Sequence, residues 1–221
     1  MSVQDLASDR PSQEAIDKLN VIPVFVIAKS PSELCLSEQN GITIVPLYLS
    51  KKAADEALSA YQSAIPEFKA SVVFFTLDKM YDIIQVFQEQ YAQQSKQIVF
   101  PVVVKKENTQ QALEILKKDG FDDSAVRSNL TIPVFYTEPV ITIDSSNGNG
   151  PQKIFFIDYS SLQDAISNLP ESTNPPVVKV ANLDQVIDMI SESSDKNFAF
   201  YPTSEFYAIQ KILEGSFQLQ S

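Results

Sequence analysis

Apolar residues alternate with polar ones in short runs, and the runs switch between the two-residue and the three-to-four-residue period. Val21–Ala28 is a β-branched run suited to a buried strand. Glu33–Leu36 is short enough for a second strand, and Asn40-Gly41 is a strong hairpin signal before a returning strand, Ile42–Leu49. Pro46 inside that strand predicts an edge or a bulge. Ser50 then opens a helix to about Ser63, with Ala54, Ala57, Leu58 and Tyr61 at helical spacing. Ser71–Thr76 and Ile98–Val104 read as strands. Between them Asp78 caps a helix with Met80, Ile83, Ile84, Phe87 and Tyr91 on one face. Asn108 or Thr109 caps the next helix, which Gly120 stops.

The order then recurs. Ile132–Thr137, Val140–Asp144 and Lys153–Asp158 read as strands, with a turn at Asn147–Gly150. Ser160 or Ser161 caps a helix carrying Leu162, Ala165, Ile166 and Leu169. Val177–Val180 is a strand, Asn182 or Asp184 caps a helix with Leu183, Val186, Ile187 and Ile190, and Phe198–Tyr201 is the last strand. Thr203 or Ser204 caps a final helix with Phe206, Ile209 and Leu213. Ahead of all this, Pro11 and Ser12 announce a short helix with Ala15, Ile16 and Leu19 on one side.

The recurrence is also literal. Ile22-Pro23-Val24-Phe25 returns as Ile132-Pro133-Val134-Phe135, and Leu77-Asp78 through Ile83-Ile84 returns as Leu183-Asp184 through Met189-Ile190. Phe100-Pro101 is echoed by Tyr201-Pro202, and Ile115-Leu116 by Ile212-Leu213. The expected fold is a mixed α/β protein built from a duplicated ββαβαβα unit, two similar halves with mixed sheets flanked by helices about a pseudo-two-fold axis. The expected boundaries are an N-terminal helix or tail at 1–18, a first unit at 19–120, a connector at 121–130 and a second unit at 131–221.

Composition removes most chemistry from this frame. The 221 residues include no His, one Cys and five Gly. Without His, the usual base near neutral pH and the commonest metal ligand are missing. One Cys allows neither an intrachain disulfide nor a cysteine zinc site. No clustered glycines build a phosphate loop. The net charge of −11 disfavours nucleic acid and anionic lipid, so at most a peripheral membrane association is expected. No apolar run approaches ~20 residues, and the first residues lack signal-peptide character. Asp78 and Asp82, repeated as Asp184 and Asp188, read as a helix cap and a solvated residue. Cys35, between Leu34 and Leu36, reads as a buried inert thiol, and Asn129-Leu130-Thr131 as an incidental sequon match. No catalytic, cofactor or metal residue emerges.

The aromatic residues, 14 Phe and eight Tyr, leave one opening. Phe74-Phe75 and Phe155-Phe156 direct adjacent rings to opposite strand faces. One face is core; the other needs a helix, the other half or a ligand. Beside the helical stripes stand Tyr81, Val86 and Met189. Tyr81, Val86, Phe75, Met189 and Phe156 are therefore the candidate apolar protein-binding residues, and the duplication predicts that such a place occurs twice.

The run Leu19–Phe25 opening a hairpin, Ile44–Leu49 with Ser50–Ala54 entering a helix, Val72–Thr76 stepping into Leu77–Tyr81, and Phe100-Pro101 before Gln110–Leu116 together resemble the 22-kilodalton subunit family of the chloroplast inner-envelope translocon. The resemblance spans about residues 19–215 and points to a cyanobacterial homologue. It implies a non-enzymatic periplasmic or plastid intermembrane-space protein of two similar α/β halves. The implied partners are precursor or outer-membrane polypeptides and outer-membrane assembly or import-channel proteins. Two roles are compatible with it: a chaperone-like translocation factor holding polypeptides in apolar grooves, or an adaptor bridging folded membrane-complex partners.

Overall fold

A computed structural model describes residues 11–144, 150–170 and 175–218. Asn147-Gly148-Asn149 of the expected second turn and the side chains of Ile212 and Leu213 lie outside the description.

The chain opens with α1 (Gln13–Asp17) and a 3-10 turn at Lys18–Val21. Ser12 accepts the Ala15 N–H at 3.3 Å, the expected cap, and Ala15, Ile16 and Leu19 are buried. The first sheet is centred on β1 (Pro23–Ser30). β6 (Ser71–Thr76) runs antiparallel along one edge, from Pro23 opposite Thr76 to Ala28 opposite Ser71. On the other edge lie β2 (Glu33–Leu34) and β5 (Leu47–Tyr48), and β8 (Val102–Val103) follows in parallel with β5. A three-stranded sheet continues it: β3 (Ser37–Gln39), β4 (Ile42–Ile44) and β7 (Gln97–Val99). Asn40 and Gly41 sit at φ 53° and 77°, the left-handed pair a tight hairpin needs. Pro46 and Pro101 each split a predicted strand in two, because a prolyl nitrogen cannot donate to the ladder.

The second sheet pairs β9 (Pro133–Glu138) antiparallel with β12 (Val177–Asn182) and β11 (Pro151–Phe156). β13 (Phe198–Tyr201) lies parallel on β11, and β10 (Thr142–Asp144) is antiparallel to it. Landmark pairs correspond between the sheets: Pro23–Thr76 with Pro133–Asn182, Phe25–Tyr48 with Phe135–Phe156, and Tyr48–Val103 with Phe156–Tyr201.

The central strands β1, β9 and β11 are buried on both faces, and the two faces go to different places. Val24, Val26 and Ala28 of β1 join Val134 of β9, Phe155 of β11, and Phe198 and Phe200 of β13 in one core. Two helices add to it: α3 (Leu77–Gln93) through Leu77 and Met80, and α7 (Leu183–Glu192) through Leu183, Val186, Ile187 and Ile190. Full burial of each such side chain contributes about 1.5–3 kcal/mol, so this shared core fastens the halves to one another.

The opposite faces are covered by helices, two of which cross from one sheet's stretch of chain to the other sheet. Phe135, Ile154 and Phe156 pack under α6 (Tyr159–Ser167) through Leu162, and under α4 (Lys106–Lys118) of the preceding half through Ala112 and Ile115. Phe25, Ile27 and Tyr48 pack under α2 (Lys51–Ala64) through Ala54, with Ile209 of α8 (Ser204–Gln218) from the last half beside them. The second ring of each Phe-Phe pair is therefore taken by a helix. The connector is itself helical, α5 (Asp123–Asn129), with the Asp122 carbonyl accepting the Val126 N–H at 3.0 Å.

Candidate functional site

Helix starts decide what is free for binding, and several differ from the sequence reading. α3 begins two residues earlier than predicted, with Thr76 at its N-cap. Asp78 sits inside the first turn at the positive end of the helix, buried, with Oδ2 3.6 Å from the Lys79 ammonium and Oδ1 lacking a hydrogen-bond partner. Asp82 and Asp188 are exposed, as solvated residues should be; Asp184, the alternative cap of α7, lies exposed inside its first turn, and Asn182 is the cap, in a capping box with Gln185. α6 is capped by Asp158, ahead of Ser160 and Ser161. Of the paired candidates at the start of α8, Thr203 is the cap, accepting the Phe206 N–H at 3.2 Å.

Asn108 does not cap its own helix, which starts at Lys106. Its amide is spent across the half boundary. Nδ2 donates to the Ile157 carbonyl at 3.0 Å and Oδ1 accepts the Tyr159 N–H at 3.1 Å, at only 4% exposure. The reciprocal contact is made by Glu205 of α8, which accepts from the Ser50 hydroxyl and the Lys51 N–H, both at 3.3 Å. Lys105 lies between the two, 2.7 Å from Asp158 and 4.0 Å from Glu205. These polar contacts are committed to holding α4 and α8 in place.

The five candidate residues do not converge. Phe156 is 1% exposed, its ring stacked 5.1 Å from Tyr201, so the expectation that it forms a binding surface is corrected: it is core under α4 and α6. Phe75 is half-buried against the shared core and Tyr81 is half-buried on α3. Met189 is 41% exposed on α7. At the position matching Val86, α7 carries Glu192 and ends there.

Val86, 52% exposed, is the residue that opens onto a groove. α3 runs on for 17 residues, and its Ile83, Val86 and Phe87 face Leu34 and the turn Pro31-Ser32 between β1 and β2. The space is about 280 Å3 and mostly apolar; Ser32 and Asp82 are its polar members. Phe87 is held by Tyr91 and Phe100, with ring centres at 6.5 and 6.2 Å, so the floor is fixed rather than adaptable. Sequence reasoning had given Ile83 and Phe87 to the core and had no reason to involve Pro31, because the groove exists only where the turn meets the helix.

A larger cleft of about 580 Å3 runs between α4 and α5, but Lys106, Glu114, Lys117 and Arg127 line it beside Val104 and Leu113. Such charges oppose burial of an apolar chain. Cys35 is half-buried, and burial pushes its thiol pKa up, which keeps it protonated and a poor nucleophile. Among the described residues no group of three His, Cys, Asp or Glu is placed to hold a metal, and no helix is long and apolar enough to cross a membrane.

Comparison with known proteins follows the same architecture. No match is found among curated proteins. Among solved structures, Tic22 from Plasmodium falciparum superposes with a TM-score of 0.73 at 24% identity, over 94% of this chain and 99% of that one. Anabaena Tic22, described as a protein of protein transport, superposes with a TM-score of 0.72 at 14% identity, over 92% and 98%. The family model for the Tic22-like family matches residues 3–210, nearly the whole length, and the chain belongs to that family.

Proposed function

We propose that this protein is a non-enzymatic protein-transport factor that transiently holds apolar segments of incompletely folded polypeptides. The groove between α3 and the β1–β2 turn is the observation that carries the reading. Its apolar walls accept one or two aliphatic or aromatic side chains, and Asp82 and Ser32 at the margin tolerate the polar backbone between them. Burial of one such side chain contributes about 1.5–3 kcal/mol, well short of the ~8 kcal/mol of a micromolar complex. The groove alone therefore gives weak, quickly reversible holding, which suits a factor that must release its client. The net charge of −11 keeps the loaded protein soluble.

Membership of the Tic22-like family and the transport role stated for Anabaena Tic22 support the same class of activity. On that basis the clients are precursor or outer-membrane polypeptides, met in a periplasm or plastid intermembrane space. Met189 on α7 is a secondary contact. The test is suppression of aggregation of a chemically unfolded client by the purified protein, against Val86→Asp and Met189→Glu. Protection that Val86→Asp removes supports the reading. No protection, together with tight binding to one folded membrane-complex partner, assigns the adaptor role instead.

A further inference from the structure

We propose that the free edge of β6 receives an extended segment of the client as an added strand; the inference rests on the polypeptide-holding function above and specifies its backbone chemistry. The phase of the β1–β6 ladder is set where the Leu77 N–H donates to the Ile22 carbonyl at 2.9 Å. Antiparallel pairs alternate between bonded and non-bonded, so Val24–Phe75 and Val26–Val73 exchange bonds. The intervening residues turn outward. Val72 and Phe74 direct both N–H and C=O away from β1, and Thr76 directs its N–H away. Pro23, which has no N–H, stands opposite Thr76, a non-bonded position, in agreement with this phase. Among the described residues none of these outward groups has a partner.

Outward amides spaced two residues apart match one ligand class, an extended backbone. The composition of β6, Ser-Val-Val-Phe-Phe-Thr, is what edge strands usually avoid: no charge, no proline, no bulge. Several other strands of this protein carry guards. β12 carries Lys179 at its centre, bound to Asp119 at 2.9 Å; β7 and β8 are parted by Pro101; β3 holds Glu38 and β10 ends in Asp144. An uncharged six-residue edge is suited to clients that arrive unfolded, and Val72 and Phe74 on it are only half-buried.

The probe is a fluorescein-labelled eight-residue peptide of alternating Val and Ser, with two N-methylated versions covering alternate residues. Added-strand binding predicts that one methylation set weakens binding to the wild-type protein about tenfold or more, through the loss of two hydrogen bonds to the Val72 and Phe74 carbonyls, and the other by under about threefold. On the protein side, Val72→Pro removes one outward donor and no bond to β1. It should weaken the unmodified peptide about three- to tenfold, with a melting temperature within a few degrees of wild type. Equal effects of the two methylation sets, or none, overturn the proposal. So does concentration-dependent dimerisation in sedimentation that Val72→Pro abolishes, since the edge then pairs with a second copy. If Val86→Asp abolishes client protection while the methylation sets are indistinguishable, the groove function stands and the strand addition fails. If no client is protected, both fail.

Discussion

Replacing Asn108 with Ala should be among the most damaging single polar changes in this protein. The side chain is 4% exposed and bridges two halves, through the Ile157 carbonyl at 3.0 Å and the Tyr159 N–H at 3.1 Å. Truncation loses both bonds and leaves a buried acceptor and a helix-start donor unpaired. An intramolecular bond is worth about 0.5–1.5 kcal/mol, and an orphaned buried group costs about 1–3 kcal/mol. Because water can reach some of the vacated space, the expected loss is about 2–4 kcal/mol. For a chain of this size, 1 kcal/mol moves the melting temperature by about 2–4 °C, so the drop should be roughly 5–15 °C. Urea denaturation followed by circular dichroism measures it. Asn108→Asp keeps the acceptor for Tyr159 beside the positive end of α6 but sets a carboxylate against the Ile157 carbonyl; it should fall between wild type and Ala. A loss under about 0.5 kcal/mol for Asn108→Ala would refute the claim that α4 is pinned to the other half through this amide.

Further outcomes follow from single contacts. Lys105→Met leaves Asp158, 6% exposed, without its 2.7 Å partner and should cost about 1–3 kcal/mol in the same denaturation assay, less than a fully buried pair because Lys105 is partly solvated. Val86→Asp should lower client protection while leaving the melting temperature within about 2 °C, since the side chain is half in solvent. The Lys153 ammonium and the Asn197 N–H hold the Asp195 carboxyl below its ordinary pKa. A depressed folded-state pKa contributes stability above the unfolded value, near 3.8, and loses it as pH falls through the lower folded value. The gap in melting temperature between wild type and Asp195→Asn should therefore be present at pH 7 and shrink as the pH falls below the ordinary carboxylate range.

What the sequence disclosed was local. Asn40-Gly41, Ser12 ahead of α1, Pro46 and Gly120 each act within a few residues, and each is where the pattern placed it, whereas Pro101 breaks a strand read as continuous. The mixed α/β class follows from the alternation of periods, since strands and helices carry different spacings. What was hidden depends on contacts between distant segments. Asn108 has the residue type of a cap, and its sequence neighbours suggest the wrong helix; the right one starts about fifty residues later. Phe156 belongs to a pair of rings whose two faces cannot be ranked without knowing that α4 crosses to the other half. Asp122-Asp123-Ser124 marks a helix start, but inside a stretch read as connector. The groove is the clearest case: Val86 stood out as surplus beside the core stripe, while Pro31 and Ser32 have no apolar signature.

Site-specific photocross-linking tests the central claim most directly. A benzophenone amino acid at position 86, in the groove, is compared with one at position 177, an exposed apolar residue at the start of β12. Both variants are mixed with an unfolded client before illumination. Selective groove holding predicts strong cross-linking from position 86, little from 177, and loss of the product with excess unlabelled unfolded client but not with the folded form. Equal cross-linking from both positions, or no competition by the unfolded client, would contradict it.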